Sequence, residues 1–508
     1  MSHNFLGIDI GTSESKGMLV DEAGNVLSSA SIEHEVSFPR PGWAEQDADG
    51  VWWMEFCQLS KQLLNQSGLN SNDIEAVSCS SMAPCLLPVD DRGRPLRSAI
   101  LYGIDTRSVT QIEKLNSLLG EKQILERCGT PLSAQSIGPK ILWIKENQPD
   151  IYRRTAKFLT ATGYLVFKLT GRQVIDYFTA SAGFAPIIDV NRMSWIDEYE
   201  ELIVSPEKLP ELAWTSEIAG YITPDASAEC GLAANTPVTV GTGDAGAEAL
   251  SVGAVTSGQT MLMFGSTFFI IEVVDQVKTD SRMWSAAYLF PGTYCMLGGM
   301  SATGAITQWF REQFARTEST EERRGGANAY KVLADEAATI PPGSEGLLVV
   351  PYFSGERTPI NDPLARGLIL GLSLSHTRAH IYRAILEATA YGVRHHLEVM
   401  NELGNEPTEI LSVGGGTKNG LWLQIVSDVT GYRQIVPRVT YGAAFGDCFL
   451  AALGAGIYSD FRMIDTWISK QSTVEPNLSH RSMYDRRYEQ FREAYETSKS
   501  LIHSLARS

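Results

Sequence analysis

The stretch Phe5-Leu-Gly-Ile-Asp9-Ile-Gly11-Thr12-Ser13, followed by Ser15-Lys16-Gly17-Met18-Leu19-Val20 and a polar turn at Asp21-Glu-Ala-Gly24-Asn25, reads as a β-hairpin. It sets a carboxylate at a strand end, a glycine where backbone can approach an anion, hydroxyl donors at Thr12 and Ser13, and the cation of Lys16 nearby. Those are the groups a nucleotide phosphate needs. A plain hairpin with small turn residues has the same composition, because short glycine motifs recur by chance, and the lysine-bearing Walker loop is absent. About half the chain later, Gln259-Thr-Met-Leu-Met-Phe264-Gly265-Ser266-Thr267-Phe268 repeats the strand and small turn, as an internal duplication gives.

The chain has 508 residues, 44% hydrophobic and 20% charged, which is too long for one compact core and predicts two large domains of mixed α/β type. The small-residue stretch Val252 to Gly258 lacks strong periodicity and marks the boundary, giving domains 1–253 and 254–508. Apolar residues recur at helical spacing over 51–64, 111–127 and 138–146, and the charged tail 482–506 reads as a solvated surface helix. A net charge of -17 argues against a nucleic-acid partner, so any bound phosphate must be held locally by backbone N–H groups, helix N-termini and a metal ion. Seven scattered cysteines without CxxC spacing predict neither disulfides nor a zinc site. The residues Met1 to Leu6 carry no basic region leading into an apolar run, and no run of about 18 apolar residues occurs, so neither a leader nor a membrane span is expected and a cytoplasmic location fits. Whether the chain forms a homodimer is left open.

Two further turns carry chemistry. At Gly241-Thr242-Gly243-Asp244 an apolar strand runs into a helix start, so the Asp244 carboxylate projects beside backbone donors, where an alcohol and a phosphoryl group can meet; a structural N-cap explains the same aspartate. At Ser412-Val413-Gly414-Gly415-Gly416-Thr417-Lys418-Asn419 a strand enters a triple-glycine turn before the amphipathic helix at Leu421. Three bare glycines offer a shelf for a flat adenine ring, or simply a flexible loop.

Taken in order, Asp9-Ile-Gly-Thr-Ser, Pro41-Gly-Trp43-Ala-Glu45-Gln46-Asp47, Asp105-Thr-Arg107, Lys140-Ile-Leu-Trp143, Gly243-Asp244, Gly367-Leu-Ile-Leu-Gly371-Leu372 with Ala384-Ile-Leu-Glu387, and Gly414-Gly-Gly416 resemble the FGGY family of carbohydrate kinases, most of all its xylulokinase-like members. The resemblance runs from about Phe5 to Gly456. It implies two ribonuclease-H-like domains of the actin and sugar-kinase superfamily around a central cleft, the sugar held by 1–253 and ATP by 254–508. By the same likeness Asp244 is the general base, Asp9 lies near Mg2+ through water, and Gly11, Thr12, Ser13, Lys16, Gly265, Ser266 and Thr267 face phosphates. Gly415, Gly416 and Asn419 border the adenosine. Asp105, Arg107, Met82, Trp43 and Gln46 are the implied contacts of the small sugar or polyol, although Asp105 and Arg107 also read as a surface ion pair and Trp43 as the lid of a packed turn. By this likeness D-xylulose comes first, with L-ribulose, another ketose or glycerol behind it; against D-xylulose, the chain reads Ser81-Met82-Ala83-Pro84-Cys85, with no histidine, where xylulokinases carry a Met-His-Gly-like segment. The rival class is a nucleotide-switched binding ATPase of the same superfamily.

Overall fold

A computed structural model describes residues 3–438, 440–468 and 471–507; Met1 and Ser2, at the head of the stretch read for a leader, lie outside them. The chain divides into two compact units, and the division is not a single cut. The first unit comprises Met1–Ser257, Val273–Met296 and Tyr441–Ile468; the second comprises Gly258–Glu272, Leu297–Thr440 and Ser469–Ser508.

In the first unit the expected hairpin forms from the strands Asn4–Ile10 and Glu14–Asp21, paired antiparallel with Asp9 opposite Lys16, and Val26–Glu33 extends it. On its other side Asn4–Ile10 runs parallel to Ile74–Ser81, which runs parallel to Pro237–Thr239. The two-residue strand Thr242–Gly243 pairs with the end of Ile74–Ser81, matching Thr242 to Ser80 and Gly243 to Ser81. Asp9 also lies opposite Ser80. This register brings Asp9 and the turn before Asp244 to the same end of the same sheet.

Side chains alternate across that sheet. A Cβ on Gly17 would lie 2.8 Å from Leu63 of the helix Met54–Ser67, on one face. A Cβ on Gly7 would lie 2.1 Å from the carbonyl oxygen of Ala444 in the helix Ala443–Gly454, on the other. Asp9, two residues after Gly7, therefore emerges on the face covered by Ala443–Gly454 and by Asp244–Ser251, two helices so close that a Cβ on Gly446 would lie 2.1 Å from the carbonyl oxygen of Ala247. The core under the sheet includes Leu6, Ile8, Trp52, Phe56, Leu59 and Val77, and a second core around Ile141, Trp143, Phe158 and Phe184 fills the helical region between the parallel strands. The helical reading of 111–127 is corrected: Gly120, at φ +81, separates Val109–Leu119 from Glu121–Cys128.

The second unit repeats the pattern. Gln259–Phe264 pairs antiparallel with Phe268–Val274 as far as Glu272 and parallel with Glu409–Val413, which runs parallel to Gln434–Pro437. Arg378–Glu402, 25 residues long, and Gly420–Thr430 supply its main buried helical faces. The tail Arg481–Ala506 is helical, but a solvated helix it is not: Tyr484, Tyr488, Phe491, Tyr495 and Ile502 fall at helical spacing and are buried. Among the described residues no helix is long and apolar enough to cross a membrane.

Candidate active site

Asp244 opens the helix Asp244–Ser251, and the N-cap is Gly243, so capping does not account for the aspartate. Its Oδ1 accepts a hydrogen bond from the adjacent Ala245 N–H at 2.8 Å. The turn before it is tightly determined. Gly241 has φ +72, and a Cβ there would lie 2.1 Å from the carbonyl oxygen of Cys79. Thr242 donates its hydroxyl to Asp176 Oδ1 at 3.0 Å, and its carbonyl accepts from Thr162 Oγ1 at 2.9 Å. Asp176 in turn caps the helix Tyr177–Gly183 through the Thr179 N–H.

Around this turn the sheet gathers acids. Removal from water, reinforced by Asp9, pushes the Asp244 carboxyl up to about 8. One helical turn on, Glu248 is pushed up to about 7 by burial and again by Asp9. Asp9 itself is raised to about 6 by burial, against the pull of Ser80 and Lys16. Ser80 Oγ lies 3.1 Å from Asp9 Oδ1 and 2.7 Å from Asp447 Oδ2. A hydroxyl has one proton, so it donates fully to only one of the two carboxyls, and a protonated carboxyl on the other side would let it accept there. Asp447 is fully buried on the helix Ala443–Gly454, and burial raises its carboxyl well above the usual range, which favours the protonated form there. Among the described residues no three His, Cys, Asp or Glu side chains group as a metal cage. Hard carboxylate oxygens crowded enough to raise one another fit a divalent cation held largely by water and phosphate oxygens.

Gly11, Thr12 and Ser13 form the turn between the first two strands, closed by the Gly11 N–H donating to the Glu14 carbonyl at 3.1 Å. Lys16 lies across the ladder from Asp9 and pairs with Glu14 at 3.1 Å. Gln46 is buried; its amide donates to the Thr12 carbonyl at 2.9 Å and accepts from the Trp52 indole at 2.8 Å. Tyr102 OH and Thr12 Oγ1 lie 3.0 Å apart.

Asp105 and Arg107 do form an ion pair, but a buried one, with both side chains 0% exposed. Asp105 Oδ2 also accepts from the Ala44 N–H at 2.7 Å, and the Arg107 guanidinium stacks 4.0 Å from the Trp43 ring and 5.2 Å from Trp143. Trp43 meets Trp143 edge-on at 5.2 Å. Met82 is buried in the core and its N–H donates to the Ile10 carbonyl at 2.9 Å.

In the second unit the turn Gly265-Ser266-Thr267 has its carbonyls engaged from one side. The Gly304 N–H donates to Gly265, and the Thr303 and Ala305 N–H groups both donate to Ser266, at 2.9 to 3.1 Å. Gly414, at φ +90, would bring a Cβ within 2.6 Å of the Phe264 carbonyl oxygen, and a Cβ on Gly416 would strike Phe264 and Trp422, whereas Gly415 faces open space. Asn419 caps the helix Gly420–Thr430 by accepting from the Trp422 N–H at 3.1 Å.

The comparisons with known proteins agree on a family. Residues 4–251 match the N-terminal domain, and residues 265–455 the C-terminal domain, of the FGGY family of carbohydrate kinases. The chain belongs to this family. It is therefore a sugar phosphotransferase, and similar members span its full length. The xylulose kinase of Staphylococcus epidermidis is 29% identical over 505 residues, covering 98% of each chain. The gluconokinase of Bacillus subtilis is 28% identical over 471 residues, 92% of this chain and 91% of that one. The crystal structure of xylulose kinase from Rhodospirillum rubrum superimposes with a TM-score of 0.90 at 30% identity, covering 98% of this chain and 100% of that one.

The sequence reading missed Ser80, Glu248, Asp176 and Asp447. Glu248 was within reach, four residues after Asp244 on one helix face. Asp447 was too, as the lone charge in the apolar run Ala443–Gly454.

Proposed function

We propose that this FGGY kinase transfers the γ-phosphoryl group of ATP to a hydroxyl of a small ketose or polyol, D-xylulose first, with L-ribulose, another ketose or glycerol as alternatives and Asp244 as the base. The observation that carries the reading is the Asp244 carboxyl, set at a helix start with the Ala245 N–H as its hydrogen-bond donor and raised to about 8 by burial and Asp9. A carboxylate with so high a proton affinity accepts the proton of an attacking hydroxyl far better than an ordinary one. Asp9 would hold Mg2+ through water, and the ion would supply positive charge to offset that of the phosphates. On this reading the turns at 11–13 and 265–267, with Lys16, address phosphates, and Gly415 and Gly416 border the adenosine, with Asn419 fixing the helix behind them. Trp43, Gln46, Met82, Asp105 and Arg107 are the acceptor contacts on this reading; Gln46 also reaches the phosphate turn through the Thr12 carbonyl, and Tyr102 meets Thr12. The acid-rich surroundings of Asp244 favour a neutral acceptor over a sugar acid, because a second anion there would be repelled.

ADP release measured over pentuloses, hexuloses, polyols and D-gluconate tests the substrate. A ketose giving the highest kcat/KM supports the proposal; D-gluconate preferred over every ketose overturns it. ADP release that no acceptor accelerates would instead support a nucleotide-switched ATPase. Asp244→Ala is expected to lower kcat by about a hundredfold or more while ATP still binds. Full turnover by that variant removes Asp244 from the chemistry.

A further inference from the structure

The turn at 11–13 presents an arrangement that its own residues do not explain. His34, whose side chain is 6% exposed, lies behind it. Its Nε2 is 3.2 Å from the Gly11 carbonyl oxygen and 3.1 Å from that of Thr12. Its backbone N–H donates to the next carbonyl, Ser13, at 3.0 Å. Three consecutive carbonyls are thus turned toward one residue. Carbonyls only accept, so Nε2 must carry a hydrogen. On the other side of the ring Nδ1 lies 3.0 Å from Glu55 Oε2, which also accepts from Ser15 Oγ at 2.6 Å. Wherever the proton shared between Nδ1 and Glu55 resides, the Nε2 hydrogen stays on the turn.

Across a trans peptide the C=O and N–H point in opposite directions. Drawing the Gly11 and Thr12 carbonyls toward His34 therefore aims the Thr12 and Ser13 N–H groups the other way. Neither of those two N–H groups has a hydrogen-bond partner among the described residues. Successive free N–H groups in a turn form a concave anion site.

We infer that His34, held by Glu55, is the positioning residue that aims the Thr12 and Ser13 amides at the phosphates of the nucleotide. The inference rests on the phosphate reading of this turn given above. It assigns the grip to two peptide N–H groups and their alignment to a side chain 21 residues away from Ser13, just past the end of the third strand.

The test compares His34→Ala, which removes the donor, His34→Gln, which places an amide N–H near the Nε2 position, and His34→Asn, which places it near Nδ1. Binding of the magnesium salt of AMP-PNP and of adenosine is measured by calorimetry on the full chain. AMP-PNP should weaken about tenfold in His34→Ala and His34→Asn, recover most of that in His34→Gln, and adenosine affinity should stay constant. Equal losses for both ligands, or no recovery in His34→Gln, overturn the inference, since a merely structural defect behaves so. Should His34→Ala fail to fold, the Gln and Asn variants carry the same comparison. Hydrogen exchange of the wild-type protein separates the two levels. If AMP-PNP binds without slowing exchange at Thr12 and Ser13, the phosphate reading of the turn fails. If it slows exchange there and His34→Ala still binds AMP-PNP normally, only the role of His34 fails.

Discussion

Ser80 has one proton and touches two carboxyls, and the deeper burial of Asp447 favours a neutral group on that side. An ionised Asp447 would sit in the interior beside Asp9 with its Oδ1 already lacking a hydrogen-bond partner. A neutral Asp447 donating to Ser80, which donates to Asp9, satisfies the chain of groups. Asp447→Asn keeps a neutral donor of the same shape, and its melting temperature should stay close to that of the wild type. Asp447→Ala opens a void and leaves Ser80 without its partner, at a cost of about 1–3 kcal/mol seen in thermal melts. A large loss in the Asn variant with little in the Ala variant would mean that the buried group is charged. At this scale Asp9, Thr12 and Asp244 were legible because each sits in a short motif whose residue types state their chemistry. Asp447 was visible only as a lone charge in an apolar run; its pairing with Ser80 was not legible, because the two lie 367 positions apart and only folding brings them together.

At the scale of elements, the strands and their small turns were readable from alternation and punctuation, while the hairpin register came with the structure. Helix continuity was not. Gly120 interrupts a run whose apolar spacing continues across it, and the buried aromatic stripe of Arg481–Ala506 hides among 26 residues rich in charge. The contact of helix with helix was also invisible. Gly446 permits a separation that no side chain tolerates, so Gly446→Val should prevent Ala443–Gly454 from seating on Asp244–Ser251. The measurable result is insoluble protein or a melting transition lowered by several degrees; an unchanged melt would show that the two helices can part freely.

For the molecule as a whole, the raised carboxyls govern stability against pH. A group whose folded value lies above its unfolded one keeps protons that the unfolded chain has released, so its stabilising contribution is complete below the unfolded value and is lost as pH climbs through the folded one. Asp9 at about 6, Glu248 at about 7 and Asp244 at about 8 place that loss between about pH 4 and pH 8 in the nucleotide-free protein. Asp244→Asn cannot ionise. Its advantage in melting temperature over the wild type should grow from about pH 5 to about pH 9, and a constant difference would show that Asp244 is not raised. The two-unit plan and the repeated hairpin were legible from length and from the matching turns at 11–13 and 265–267. The membership of the units was not, since no local signal says that 441–468 returns to the first. That return has a consequence for biosynthesis. The sheet that carries Asp9 and Ser80 is complete once Thr242–Gly243 has been made, yet the helix that covers one of its faces is synthesised some 200 residues later. Until then the face of the sheet that carries Phe5 and Gly7 lacks its covering helix, so the emerging chain is exposed to aggregation there, and a fragment cut at 253 would stay in that exposed condition.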